Sequence, residues 1–200
     1  MTLRDRHHDV LKGLAAAKAA GLDPVKVNTV LMRGVNDDEA FELLEWALEN
    51  DYSLRFIEQM PLDPQHGWDR GTMVAADEIL KVLGRDYVLT PVEQRGSAPA
   101  EEFCVDGGPA TVGVVGSVTR PFCAACDRLR LTADGQVRNC LFARDESDLR
   151  TPLRDGTDDD ELAERLRVTV AGKKAGHGIG EPGFVQPDRP MSAIGGCGQA

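Results

Sequence analysis

Ser53-Leu54-Arg55-Phe56-Ile57-Glu58-Gln59-Met60, stopped by Pro61, is the stretch on which the reading of the fold turns. It is short and largely apolar, and it ends at a proline, which predicts a strand. Upstream, Val25-Lys26-Val27-Asn28-Thr29-Val30-Leu31-Met32 is β-branched and apolar and predicts another. Between the two, Asp37 and Asp38 open a helical pattern with apolar positions Phe41, Leu44 and Leu48 and with Trp46 on a flank. A first helix precedes them, with a stripe of Val10, Leu11, Leu14, Ala15 and Lys18 ended by Gly21. A third covers roughly Val74 to Leu83, after a loop rich in Pro, Asp and Gly. Strands alternating with helices at this pace imply βα units in a parallel sheet. Two strands and three helices are less than half of a βα barrel, so the expectation is a small α/β layer or the back part of an incomplete, TIM-like barrel. Lys26 and Asn28 alternate with valines, and Arg55 and Glu58 accompany Phe56 and Ile57. Such polar positions point into a barrel interior or a cleft, or else mark an edge strand at the surface.

Near Arg95 the composition changes. Gly, Ser and Pro cluster over Gly96 to Pro99 and again at Gly107-Gly108-Pro109, and Thr111 to Val118 predicts a β-branched strand. Arg128 to Leu131 and Gln136 to Phe142 flank Ala133-Asp134-Gly135, a hairpin turn that would put Cys140 on the second strand. An acidic-opened helix is expected from about Asp158 to Val170, followed by a glycine-rich tail. The chain divides on this reading into a βα part, residues 1–95, and an α+β part, residues 96–200.

The chemistry concentrates in Phe122-Cys123-Ala124-Ala125-Cys126-Asp127-Arg128-Leu129-Arg130, with Cys140 fourteen residues beyond Cys126. C-x-x-C spacing lets two thiolates face one metal or cluster, and Cys140 would supply a third ligand. Arg128 and Arg130 alternate and would share one face, where guanidinium forks suit an anion, phosphate above all. Spacing does not choose the metal. A structural zinc site would recruit Cys104 or His177 as fourth ligand, whereas an iron–sulfur site would keep three ligands and leave one position for substrate. His7, His8 and His66 have no ligand spacing, and Gly176-His177-Gly178-Ile179-Gly180 is only loosely like a phosphate loop.

The 200 residues carry a formal net charge of −10 and only 5% aromatics, which argues against a nucleic-acid or anionic-membrane surface. Five cysteines at uneven spacing fit metal binding in a reducing compartment better than a disulfide framework. With no signal peptide and no long apolar run, a cytoplasmic protein is expected.

Several segments taken together resemble one family. They are Val25-Lys26-Val27-Asn28, Leu54 through Pro61, Phe122 through Leu131 with Cys140, Phe184-Val185-Gln186, and Arg189-Pro190-Met191 through Ile194-Gly195-Gly196. In this order they are similar to the radical S-adenosylmethionine family of GTP 3′,8-cyclases, which act in molybdenum-cofactor biosynthesis. The resemblance implies a partial βα barrel that generates a radical from S-adenosylmethionine. It further implies a C-terminal domain with a second [4Fe–4S] cluster, and a lyase reaction that cyclises GTP. Carried onto this chain, Cys123, Cys126 and Cys140 would hold the second cluster. Arg128, Leu129 and Arg130 would bind GTP, Lys26 would contact its phosphates, and Met60 would lie beside S-adenosylmethionine. The implied partners are GTP and, downstream, the cyclic pyranopterin monophosphate synthase, with a homodimer also allowed.

Two departures shape the expectation. No C-x3-C-x2-C occurs in these residues, and Cys197-Gly198-Gln199-Ala200 follow the double glycine at which the family commonly ends. The chain is therefore expected to be the GTP-binding, second-cluster half of such an enzyme, not competent alone. A non-catalytic structural zinc module is the alternative.

Overall fold

The computed structural model describes residues 5–93 and 95–194. Gly195, Gly196 and the four residues after them lie outside that range. The main sheet contains β1 (Lys26–Thr29), β2 (Ser53–Ile57), β3 (Leu89–Pro91), β4 (Glu101–Val105) and β5 (Thr111–Val115), in the order β1-β2-β5-β4-β3. Pairing is parallel between β1 and β2 and between β2 and β5, then antiparallel through β4 to β3. The α/β expectation with a parallel element therefore holds, in a mixed sheet. One sheet crosses the composition change near residue 95, and Gly96 to Pro99 lie in the connection between β3 and β4.

Three helices accompany this sheet: α1 (His7–Ala19), α2 (Ala40–Glu49) and α3 (Ala76–Leu83). Period-two alternation explains how α2 and α3 dock. Leu54 and Phe56 of β2 lie in register with Val112 and Val114 of β5, and all four are buried. They form one apolar cluster with Leu44 and Ala47 of α2 and Ile79 and Leu83 of α3. The α1 stripe behaves differently: no residue of α1 is buried, Val10 is 56% exposed, and of its apolar residues Leu14 packs against the main core, with the Lys18 ammonium over the Tyr52 ring.

Positions of opposite parity face away from the helices. Asn28 pairs in register with Arg55, and Arg55 with Gly113, which also pairs with Glu102. The Arg55 guanidinium donates to Glu102 at 3.3 Å. Gly113 is required here, since a Cβ would stand 2.9 Å from Arg55 Cγ. Lys26, Asn28 and Arg55 thus share the face expected of them. Glu58 does not. It has the parity of Phe56, lies past the end of β2, and is 1% exposed. Its carboxylate accepts from the N–H groups of Ala76, Val118 and Thr119 at 2.7–2.9 Å and from the Thr119 hydroxyl. This buried carboxylate ties the start of α3 to the segment leaving β5, with every donor uncharged.

A second, antiparallel sheet contains β6 (Arg130–Leu131), β7 (Gln136–Arg138) and β8 (Ser147–Asp148). Gly135 sits at φ +82° in the expected turn, where a Cβ would meet Arg150 Cβ at 2.6 Å. A short helix, α4 (Arg150–Arg154), and the longer α5 (Asp159–Ala171) follow, and the Asp158 side chain accepts from Glu161 N–H at the start of α5. The tail docks back on the loop after β2. Gln186 donates to the Asp63 carbonyl at 2.7 Å, and Met191 N–H to the Leu62 carbonyl at 3.1 Å. Among the described residues no helix is long and apolar enough to cross a membrane.

Candidate functional site

Strands β2 and β5 end side by side, and the residues after them open a small cavity of about 90 Å³. Met60 and Ser117 line it from those ends. Phe122, Cys123, Cys126, Arg128 and Arg130 enter from the segment before and within β6, and Cys140 and Phe142 from beyond β7. Lys173 and His177 complete the lining from the end of α5. The three spaced cysteines and both arginines are thereby brought together with Met60. A wider open cleft of about 640 Å³ shares Cys140, Phe142 and His177 and extends toward α5.

The arms that carry the sulfurs are irregular. Cys123–Ala125 form a single 3-10 turn, and Cys126 N–H closes it on the Cys123 carbonyl at 3.1 Å. Cys140 was expected on a strand, but β7 ends at Arg138 and a turn follows, with Ala143 N–H on the Cys140 carbonyl at 3.2 Å. The physical reason is that Phe142 N–H, which a continuing strand would give to a neighbour, goes to Cys140 Sγ at 3.4 Å.

Cys140 Sγ accepts the Phe142 main-chain N–H at 3.4 Å, and the main-chain N–H groups of His177 and Arg128 favour the thiolates of Cys123 and Cys126. The Arg128 guanidinium adds a contact to Cys126 Sγ at 3.8 Å. Burial raises the Cys123 thiol above its ordinary value, and the His177 N–H offsets this only in part. Burial also pushes Cys126 up, but there the Arg128 N–H, the Lys173 charge and the Arg128 guanidinium prevail, so its pKa is lowered. Hydrogen bonds to sulfur stabilise the thiolate that a metal requires, and they are among the protein's means of tuning an iron–sulfur centre.

Cationic charge gathers here without acidic compensation among the described residues. Arg128 donates to the Ser97 carbonyl at 2.9 Å and lies 5.4 Å from the centre of the Phe122 ring. Arg130 is held below its ordinary value by burial and then by the neighbouring Arg128 charge. Neither arginine, nor Lys173, forms a salt bridge with a carboxylate among the described residues. By contrast, Arg138 pairs with Glu146, while Arg189 pairs with Glu146 and with Asp134. Three cations converging on a cavity edged by thiols are suited to an anion.

The remaining expected residues fall elsewhere. Leu129 does not line the cavity and is 41% exposed. Lys26 is exposed on β1 and does not line the cavity. Cys104 lies on β4, paired with Thr90 and Thr111 in the main sheet, and does not join the other cysteines. His177 does line the cavity, but both ring nitrogens are engaged. Nε2 lies 2.6 Å from the Ser117 carbonyl, which can only accept, and Nδ1 accepts from Ile179 N–H at 3.1 Å. That fixes the Nε2–H tautomer and leaves no ring lone pair for a metal. Neither proposed fourth zinc ligand is therefore available in this arrangement. Among the described residues no group of three His, Cys, Asp or Glu side chains is set to hold a single metal ion. Sequence reasoning missed Lys173, whose reach across the fold leaves no local signal.

Residues 52–179 match the family model described as Molybdenum Cofactor Synthesis C. Over 98% of its length the chain is 66% identical to a GTP 3′,8-cyclase of Streptomyces coelicolor, covering 58% of that protein. It is 60% identical to a GTP 3′,8-cyclase of a Mycobacterium species, and 54% identical to GTP 3′,8-cyclase 2 of Mycobacterium tuberculosis, covering 56% of each. The chain thus spans a little over half the length of the curated relatives it matches. The family match covers both arms of the cysteine site together with Lys173 and His177, and on that ground the chain belongs to the Molybdenum Cofactor Synthesis C family.

Proposed function

We propose that this chain is the GTP-binding part of a GTP 3′,8-cyclase, with Cys123, Cys126 and Cys140 holding a [4Fe–4S] cluster. The observation that carries the reading is the site itself, where three cysteine sulfurs and three cations without carboxylate partners among the described residues line one cavity. The donor set fits such a cluster: three thiolates satisfy three irons and leave one for a substrate atom. Bound there, the cluster would supply a Lewis-acidic iron that orients the guanine base. Arg128 and Arg130 would hold the anionic part of GTP through charge-assisted hydrogen bonds. Lys26, on the face of the main sheet away from the helices, would reach the phosphates. Met60, on the cavity wall, would pack beside S-adenosylmethionine. What the chain contributes is placement, which shortens the approach that a radical step needs.

The mixed sheet, with α2 and α3 packed on one face and Lys26, Asn28 and Arg55 on the other, supports reading it as the back part of a radical S-adenosylmethionine barrel. The C-x3-C-x2-C that would hold a radical-generating cluster is absent from these residues. On this reading they bind GTP but do not cleave S-adenosylmethionine by themselves. The cyclised product would pass to the pyranopterin monophosphate synthase.

Titration calorimetry of GTP into the anaerobically reconstituted chain tests the assignment. Charge-assisted bonds of about 1.5–3 kcal/mol imply that Arg128→Ala and Arg130→Ala each weaken binding about tenfold to a hundredfold. Unchanged affinity in both variants would contradict the proposal.

A further inference from the structure

Lys173 stands just past α5, after Gly172, and is part-buried. Its ammonium donates to the Arg128 carbonyl at 2.9 Å and also to the Asn139 carbonyl. Those two carbonyls belong to the two arms of the cysteine site. Arg128 follows Cys126 by two residues, and Asn139 immediately precedes Cys140. An ammonium has three donors, so one remains beyond these two bonds, on a side chain that lines the cavity with Cys126, Cys140, Arg128 and Arg130. The base of this bridge is itself fixed. Asn139 Nδ2 donates to the Thr169 carbonyl of α5 at 3.0 Å, while the Thr169 hydroxyl, which donates to the Arg165 carbonyl, accepts from Ser147 Oγ of β8 at 2.7 Å.

We propose that Lys173 is a positioning residue of the cysteine site: it ties the arm of Cys126 to the arm of Cys140 and holds a fixed positive charge beside the group they carry. This rests on reading that group as an iron–sulfur cluster. The bland alternative is a lysine that merely occupies two carbonyls which water would satisfy equally well. Two properties separate the cases. A tie between the arms slows loss of iron, because the Cys126 and Cys140 arms cannot part while the ammonium bridges them. A positive charge beside a cluster favours the more negative, reduced state and raises the reduction potential. Water in the same place does neither.

The test uses the reconstituted 200-residue chain and three substitutions that separate charge from hydrogen bonding. Lys173→Arg keeps both, Lys173→Gln keeps a donor without charge, and Lys173→Met keeps neither. Lys174→Met, at the exposed neighbour, is the control. Far-UV circular dichroism first establishes that each variant is folded, then iron release to a ferrous chelator and the cluster midpoint potential are measured. The expected result is a midpoint lowered in both Lys173→Gln and Lys173→Met. Iron release should be at least threefold faster in Lys173→Met, and Lys173→Arg and Lys174→Met should stay near the parent chain. Unchanged potentials in folded Lys173→Gln and Lys173→Met would overturn the proposal, whatever happens to iron release. A parent chain that takes up no iron or sulfide would remove the cluster reading itself, and this proposal with it, before any variant is compared.

Discussion

The helix-backed face of the main sheet and the cysteine site meet at the ends of β2 and β5, yet they are held together by different forces. On the first, fifteen of the described residues form one buried apolar cluster. Beside the second, the cluster that Phe142 packs against has three buried members, Met73, Val118 and Ile179. Apolar burial is roughly additive in area and needs no ligand, so the first region is specified by its own sequence. The second is built from hydrogen bonds to sulfur, carbonyls held by Lys173, and arginines with no carboxylate partner among the described residues. On the proposed reading its order would depend on the cluster and GTP, because a ligand that binds only the folded arrangement stabilises it by mass action.

The largest effect should come from removing the bound group. Cys126→Ala or Cys140→Ala should abolish cluster retention, and hydrogen exchange should then lose protection at residues 122–142 while β2 and β5 keep theirs. Equal loss in both regions would erase the distinction. Next, Phe56→Ala, at a side chain with no exposed surface, should cost about 3–5 kcal/mol in denaturant unfolding. Glu58→Gln probes the junction. It replaces a carboxylate that serves four donors by an amide with one acceptor oxygen, and should cost about 1–3 kcal/mol with faster iron loss. A Glu58→Gln variant with the parent's stability would show that these four bonds do not couple the two regions.

The smallest effect is a pH dependence. Asp134 is held down to about 2 from an ordinary 3.8, chiefly by hydrogen bonds from Arg189 and then Thr132. A carboxylate with a depressed folded-state pKa adds stability that is present above its unfolded value and lost as pH falls through its folded value. Its contribution should therefore fade between about pH 4 and pH 2, and Arg189→Met should flatten the melting-temperature profile there. Because the Asp134 side chain is 45% exposed, the change should be modest and weaker at high salt.

What could be read from the sequence follows the same division. β1, β2, α2 and α3 were legible because their apolar period matches the face they bury. α5 was legible from Asp158, whose carboxylate caps it. β3 and β4 were missed. β3 is a three-residue run with two exposed positions, and β4 opens on two glutamates, a poor strand signal. Glu101 is tolerated there because Arg95 and Arg120 both reach it at 2.8 Å, which only the fold brings about. The cysteines and arginines were legible because their spacing is local. Lys173, the fixed tautomer of His177 and the isolation of Cys104 depend on contacts between distant segments. Glu58 was misread as a partner of Arg55: three residues further on it takes the side of Phe56, and nothing in the sequence announced its four donors.

Iron, acid-labile sulfide and zinc per polypeptide, measured on the anaerobically purified and reconstituted chain, test the central claim most directly. The account predicts about four irons and four sulfides with no zinc, unchanged by Cys104→Ser and lost in Cys140→Ala. One zinc without sulfide, released by Cys104→Ser, would contradict it.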